Sequence, residues 1–177
     1  MALISWEYVQ RILHISDSQQ EQTELLIGWI TRRGETIARR ELESKERTVY
    51  LSGYGGSELI LPHWPVKIVA SVIISGNEIT EYTVDERKGI LYRTDAIFPR
   101  GERNIEVTYT AGWSDITVPD DVKLACLEAI SWNLKRFNDG AMGVKNQTTP
   151  DGVNVGYELV LPLSVQRVFE SYKSVGV

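Results

Sequence analysis

Gly112-Trp113-Ser114-Asp115-Ile116 opens like the turn that presents a nucleophilic serine above a strand, but Ile116 stands where that turn needs a second glycine. The serine hydrolase reading fails at that one residue. Gly53-Tyr54-Gly55-Gly56-Ser57 is rich in glycine, yet Glu58 occupies the place of the third glycine of a dinucleotide fingerprint, and no Gly-Lys-Ser/Thr phosphate loop occurs in the chain. A flexible turn is the simpler reading. His14 and His63 lie far apart and lack Cys or carboxylate neighbours at ligand spacing, so they do not read as a zinc site. Asp120 and Asp121 could be an acid and a base, but adjacent helical residues point about 100° apart. They suit the positive end of a helix dipole better. No catalytic, cofactor-binding or metal-binding residue is assigned, and the chain reads as a non-enzyme.

The aromatics and cations allow other chemistry. Trp64 and Trp113 sit beside Pro65 and Gly112 at the ends of apolar runs, where an indole either plugs the edge of a core or anchors a partner. Arg32, Arg33, Arg39, Arg40, Lys45 and Arg47 could touch phosphate, but Glu35, Glu41, Glu43 and Glu46 interleave with them, the pattern of a solvated helix face. Across 177 residues the net charge is -5, which opposes tight binding to nucleic acid through neutralised phosphates.

The elements that must position these groups change type twice along the chain. Ser5 caps a short helix carrying Trp6, Val9, Ile12 and Leu13, and a longer helix from near Ser18 carries Leu25, Leu26, Trp29, Ile30, Ile37 and Leu42. Gly28 and Gly34 within it imply a kink or a close helix contact. Period 2 then takes over in RTVYL, SELIL, VKIVASVII, ITEYTV, GILYR and NIEVTYT, with turns expected at Gly76-Asn77 and at DERKG. In the last strand Ile105, Val107 and Tyr109 face one way while Glu106 and Thr108 face the other, so one face is wet.

Pro119 restarts helical spacing as far as about Phe137, with one stripe at Val122, Cys126, Ala129 and Asn133 and a second at Leu124, Leu127, Ile130 and Leu134. Two apolar stripes imply packing on two sides. Residues 139–156 have many turn formers and little periodicity, and read as a long mobile loop. A final helix after Pro162 carries Val165, Val168, Phe169 and Tyr172 on one face. The expected class is α+β: N-terminal helices, a central antiparallel β-subdomain inserted at 48–112, and C-terminal helices packing with the N-terminal ones, all in one domain spanning 1–177.

Cys126 is the only cysteine, so no intrachain disulfide can form and a reducing, cytosolic setting fits. Glu7 and Arg11 interrupt the first apolar segment, so it does not read as a signal peptide. No apolar run approaches the roughly 20 residues of a membrane span, and no membrane partner is expected.

Leu61-Pro62 with Trp64-Pro65-Val66, then Tyr109-Thr110-Ala111-Gly112 followed by Val118-Pro119, then Leu161-Pro162 with Tyr172, resemble the head-tail connector (adaptor, or head completion) proteins of tailed bacteriophages. The resemblance spans nearly the whole chain, and none of these pieces is a catalytic motif. It implies a homo-oligomeric ring, commonly dodecameric, in the virion neck beneath a portal protein. The subunits would assemble in the bacterial host cytoplasm. Such a ring extends the DNA channel without specific binding and offers a surface to the next neck or tail protein; a tail-completion or tail-terminator-type adaptor is one alternative, and a small enzyme with an unrecognised site is the alternative of another class. On this reading Pro62-His63-Trp64-Pro65 is a rigid corner, because two prolines fix φ and remove two amide donors. A mildly negative lumen would let DNA slide, and the second stripe of the third helix would meet a neighbouring subunit. The interface candidates are Trp64, Trp113, Leu124, Leu127, Leu134, Met142, Tyr157, Phe169 and Tyr172. The C-terminal third, with Val144, Val153 and Val155 as further anchors, is expected to face the portal or a neighbour.

Overall fold

Alternation and helical spacing divide the chain as they divide the sequence. The computed structural model describes residues 3–139, 146–148, 154–156 and 161–173. These fall into two compact units, one built on Arg39–Ile116 and the other joining Ala2–Ala38 to Thr117–Lys173.

In the helical unit, α1 (Trp6–Leu13) starts where the Ser5 hydroxyl accepts the Tyr8 amide at 3.3 Å, the expected cap. A 3-10 turn at Asp17–Gln19 leads into α2 (Gln20–Ala38), which buries Thr23, Leu26, Ile27, Ile30, Thr31, Gly34 and Ala38 at spacings of three and four. Leu25 lies off this stripe and is exposed. The expected second helix runs on to Leu42, but α2 stops at Ala38, where Arg39 turns left-handed at φ 53°. Leu42 is buried, but it belongs to the other unit. Of the two α2 glycines, Gly34 makes the close contact: a Cβ there would lie 2.5 Å from a Phe169 ring carbon, whereas one at Gly28 would meet nothing within 4 Å.

Helix α3 (Asp120–Asn138) and helix α4 (Leu163–Ser171) pack on α2 and on each other, so the C-terminal helices close on the N-terminal ones as expected. Both stripes of α3 are mostly buried: Val122, Cys126, Ala129 and Asn133 in the first, Leu127, Ile130 and Leu134 in the second. Of the second stripe only Leu124 stays open.

The other unit is all strand. A four-stranded antiparallel sheet has the order β1-β7-β3-β4, from β1 (Lys45–Gly53), β3 (Val66–Ile74), β4 (Asn77–Glu78) and β7 (Gly101–Ala111). A three-stranded sheet has the order β2-β6-β5, from β2 (Glu58–Ile60), β5 (Thr83–Asp85) and β6 (Ile90–Tyr92). Ile105, Val107 and Tyr109 of β7 are fully buried and share one cluster with Val72 and Ile74 of β3, Leu59 of β2 and Leu91 of β6. Each such aliphatic side chain stabilises the sandwich by about 1.5–3 kcal/mol relative to exposure.

Two local readings shift. The β3–β4 turn uses Ser75 and Gly76, at φ 51° and 88°, and not Gly76-Asn77, because Asn77 already pairs with Ile74. In ITEYTV only Thr83 and Val84 pair in a strand, because residues 79–82 cross from one sheet to the other. The expected turn at DERKG forms: Asp85 Oδ1 accepts the amides of Arg87 at 3.1 Å and Lys88 at 3.0 Å, and Gly89 supplies φ 68°.

Of the expected loop 139–156, Asn146–Thr148 (β8) pairs antiparallel with Asn154–Gly156 (β9). Most of the rest of that expectation lies outside the described residues.

Candidate functional site

The corner is built where three segments of the β-unit are tied together. Gly112 donates its amide to Pro65 O at 2.9 Å, Trp113 donates to Leu42 O at 2.7 Å, and Ser44 donates to Trp113 O at 2.8 Å. Gly112 has no alternative here: its φ is +108°, and a Cβ would fall 2.3 Å from Glu43 O. The corner between Leu61 and Val66 is fixed from the far side too, by Leu61 N to Gly89 O at 2.8 Å and Val66 N to Glu86 O at 2.7 Å. Trp64-Pro65 is a cis peptide.

Arg40 fills the space that these segments enclose. Its guanidinium carbon lies 3.5 Å from the centre of a Trp64 ring and 5.1 Å from that of a Trp113 ring, and its Nη1 donates to Trp64 O. The residue is only 5% exposed. A guanidinium desolvated against indole gains about 2 kcal/mol from the ring quadrupole. Arg47 continues the lattice, donating to Ala111 O at 3.1 Å and pairing with Glu41 at 2.8 Å. The alternation of Arg and Glu therefore does not mark one solvated helix face. Arg40 and Arg47 lie beyond the helix and hold the corner.

The titratable groups follow this packing. Burial, with Arg47 next, holds the His63 imidazole below its ordinary pKa. Burial pushes Glu41 up, but the hydrogen bond and charge of Arg47 outweigh it, leaving Glu41 below the usual carboxylate range. Burial pushes Tyr109 up to about 12; its hydroxyl accepts the His63 amide at 3.3 Å. Burial alone raises Cys126 to about 12, which makes it a packed apolar group and not a nucleophile. No cluster of three or more His, Cys, Asp or Glu side chains suited to a metal occurs among the described residues, and none of their helices is long and apolar enough to cross a membrane.

The structure separates the nine interface candidates. Trp113, Leu127, Leu134 and Phe169 are already buried within the chain, so their apolar surface is not left over for a partner; it is core. Trp64 is half-buried against Arg40. Leu124 is exposed, and Tyr172 is half-buried with its hydroxyl 2.9 Å from both carboxylate oxygens of Asp121. Met142 and Tyr157 lie outside the described residues.

Sequence reasoning missed an open groove of about 410 Å³ between β1 and β2, lined by Tyr50, Leu51, Ser52, Tyr54, Glu58, Leu59 and Ile60. The signal was present in the tyrosines Tyr50 and Tyr54 on the polar parity of an alternating strand and the turn after it.

The described residues form a two-unit α+β chain with a self-locked corner and surface grooves, and its shifted titratable groups follow from packing. Residues 2–175 match the family described as Head completion protein, and the chain belongs to that family. Its role is that of a head-tail connector. No match was found among curated proteins. Similar folds occur in solved structures of gene transfer agent (GTA) particles. A chain in the neck of the empty GTA particle computed with C6 symmetry is 15% identical, with a TM-score of 0.62 over 99% of this chain and 91% of that one. A chain in the neck of the native GTA particle computed with C12 symmetry is 16% identical, with a TM-score of 0.55 over 93% and 86%. A chain in the virion of the native particle is 15% identical, with a TM-score of 0.57 over 90% and 80%.

Proposed function

We propose that this protein forms a homo-oligomeric ring in the neck of a tailed-phage-like virion, beneath the portal. There it extends the DNA channel and offers a docking surface to the next neck or tail protein. The observation that carries the reading is the family match over residues 2–175. Fold likeness to chains from necks computed with sixfold and twelvefold symmetry supports the ring. The protein acts by shape, not by catalysis: its buried cation and indoles lock a scaffold.

DNA passes through such a ring without being held. A net charge of -5 supports this, because a conduit that neutralised phosphates would retain its cargo. The test is particle imaging of the full chain alone and with its portal, followed by duplex binding at physiological salt. A ring whose channel admits duplex DNA, with weak binding indifferent to sequence, is the expected result. A chain that stays monomeric on the portal, or binds DNA at nanomolar affinity with sequence preference, would overturn it.

A further inference from the structure

The β-sandwich has an open mouth along one side. Sheet order puts β1 and β2 each at an edge of its sheet, and among the described residues no strand pairs with their outer sides. The groove of about 410 Å³ runs along those two edges. It is lined by consecutive residues of each strand, Tyr50 to Ser52 and Glu58 to Ile60, and because side chains alternate between faces, only a groove beside a strand meets both parities. The mouth therefore offers unpaired backbone as well as apolar surface. Tyr50, Tyr54 and Ile60 are exposed there, Tyr54 by 74%, and Leu51 and Leu59 lead down to the core cluster. Arg103 lies 5.5 Å from the Tyr50 ring centre. Charge does not select the occupant, since Glu58 and Glu102 are exposed alongside Arg100 and Arg103.

An open edge is a template for strand addition unless brevity, proline or a bulge blunts it. β1 is nine residues long and contains no proline. Its register shift against β7 takes two steps in β1, from Leu51 to Gly53, and four in β7, from Ile105 to Gly101, so the extra residues are β7's.

The same chain carries a strand pair that lacks a sheet. β8 and β9 form a two-stranded sheet, and no third strand joins it among the described residues. Two strands alone are marginal in water. In sequence, Val153, Val155, Tyr157 and Leu159 alternate with Asn154, Gly156 and Glu158, the pattern of a strand with one covered face. Chain length gives the pair reach: each limb between Asp139 and Leu161 has roughly ten residues, which extended span about 33 Å, the diameter of a small domain.

An edge without a strand and a hairpin without a sheet complete each other. In the single chain they remain separate sheets, so the added strand comes from another copy. We propose that the β8–β9 hairpin of one copy occupies the β1/β2 mouth of a second copy of this chain, with β9 as the strand added beside β1. The addition continues the alternation of β1, whose Val49 and Leu51 pack on the core while Thr48 is exposed. The apolar parity of residues 153–159 covers the groove, and the polar parity faces water. Main-chain hydrogen bonds supply affinity, and the groove supplies register and choice of partner. Donor and acceptor surfaces differ and each copy has one of each, so the contact is heterologous and repeats around an axis until a ring closes. This rests on the ring reading above and names the contact by which the ring closes.

The test is covalent trapping in rings assembled from full chains on the portal. One chain carries Tyr50→Cys and the other Asn154→Cys, both on the parity that the addition turns to water. Cys126 does not compete, since burial raises its thiol to about 12. Mild oxidation, or a short bismaleimide that tolerates a shifted register, is expected to give a covalent dimer from the mixture and none from either chain alone. A chain carrying both cysteines gives a ladder of oligomers. Rings that form without any cross-link, or a double-cysteine chain that closes on itself as a monomer, would overturn this contact and leave the ring standing. A second reading comes from Val155→Asp on the donor and Ile60→Asp on the exposed acceptor edge. Each is expected to lower subunit association in mass photometry by about tenfold or more with circular dichroism unchanged; undiminished association in either would overturn the contact. Wild-type chains that form no ring on the portal would overturn both the contact and the ring.

Discussion

The corner and the β1/β2 mouth use the same chemistry to opposite ends. In each an arginine lies over an aromatic ring, but Arg40 is 3.5 Å from the Trp64 ring centre and buried, whereas Arg103 is 5.5 Å from that of Tyr50 in an exposed setting. At the corner the backbone of three segments closes around the pair, so its binding energy is spent on the fold. At the mouth no strand covers β1 or β2 on the open side among the described residues, so the same groups remain available. Exposure, not residue type, decides which arginine stabilises and which recognises.

The comparison breaks first at Gly112. Gly112→Ala places a methyl against Glu43 O in a left-handed backbone, and is expected to destabilise the β-unit by about 3 kcal/mol or more in chemical denaturation. A loss below about 1 kcal/mol would mean that the corner is not locked as described. Arg40→Met removes the cation but keeps the apolar stem, with an expected loss of about 2–3 kcal/mol. Arg40→Lys should not recover it, because a point charge cannot lie flat on indole while donating to Trp64 O.

Both effects rest on residues that the sequence treated differently. Gly112 stands out in the sequence only as the first glycine of a failed nucleophile-turn match and as the end of the Tyr109–Gly112 stretch, and its close approach to the Glu43 backbone is not legible there. Arg40 does not stand out at all, because in a run of alternating Arg and Glu nothing marks the one cation that is desolvated. That depended on where α2 ends, and α2 ends at a left-handed arginine without the usual glycine signal. NIEVTYT was legible because its alternation leaves one register that buries Ile105, Val107 and Tyr109, whereas VKIVASVII was legible from its β-branched run although two bulges shift its register against β7. The second stripe of α3 was legible as apolar but not as already covered, since a helix pattern does not tell whose side chains cover it.

A third change separates the two units. Gly34→Ala would put a methyl 2.5 Å from a ring carbon of the buried Phe169, so the ring must shift, and the change is expected to cost about 1–3 kcal/mol in the helical unit. The amide exchange of the corner should be unaffected.

Acid sharpens the contrast more gently. His63 titrates below its ordinary value, so the unfolded chain takes up that proton first, and corner stability is lost as pH falls from the ordinary 6.5 toward the folded value. Glu41 acts in the same direction at lower pH, since its stabilisation is present above the ordinary 4.5 and is lost as pH falls through its lowered folded value. Denaturation midpoints that fall between pH 7 and 5 in wild type, but less in His63→Phe, would support this; identical slopes would not. The smallest stability effect belongs to the mouth, where Tyr54→Ala should change stability by no more than about 0.5 kcal/mol.

Hydrogen exchange measured on the free chain and on the assembled ring tests the distinction most directly, because it reads both regions in one experiment. The account predicts that the amides of Gly112, Trp113 and Val66 exchange equally slowly in both states. It predicts that amides on the open edges of β1 and β2, from Tyr50 to Ile60, become protected only on assembly. Equal exchange across residues 50–60 in the two states, or a corner that gains protection only in the ring, would contradict it.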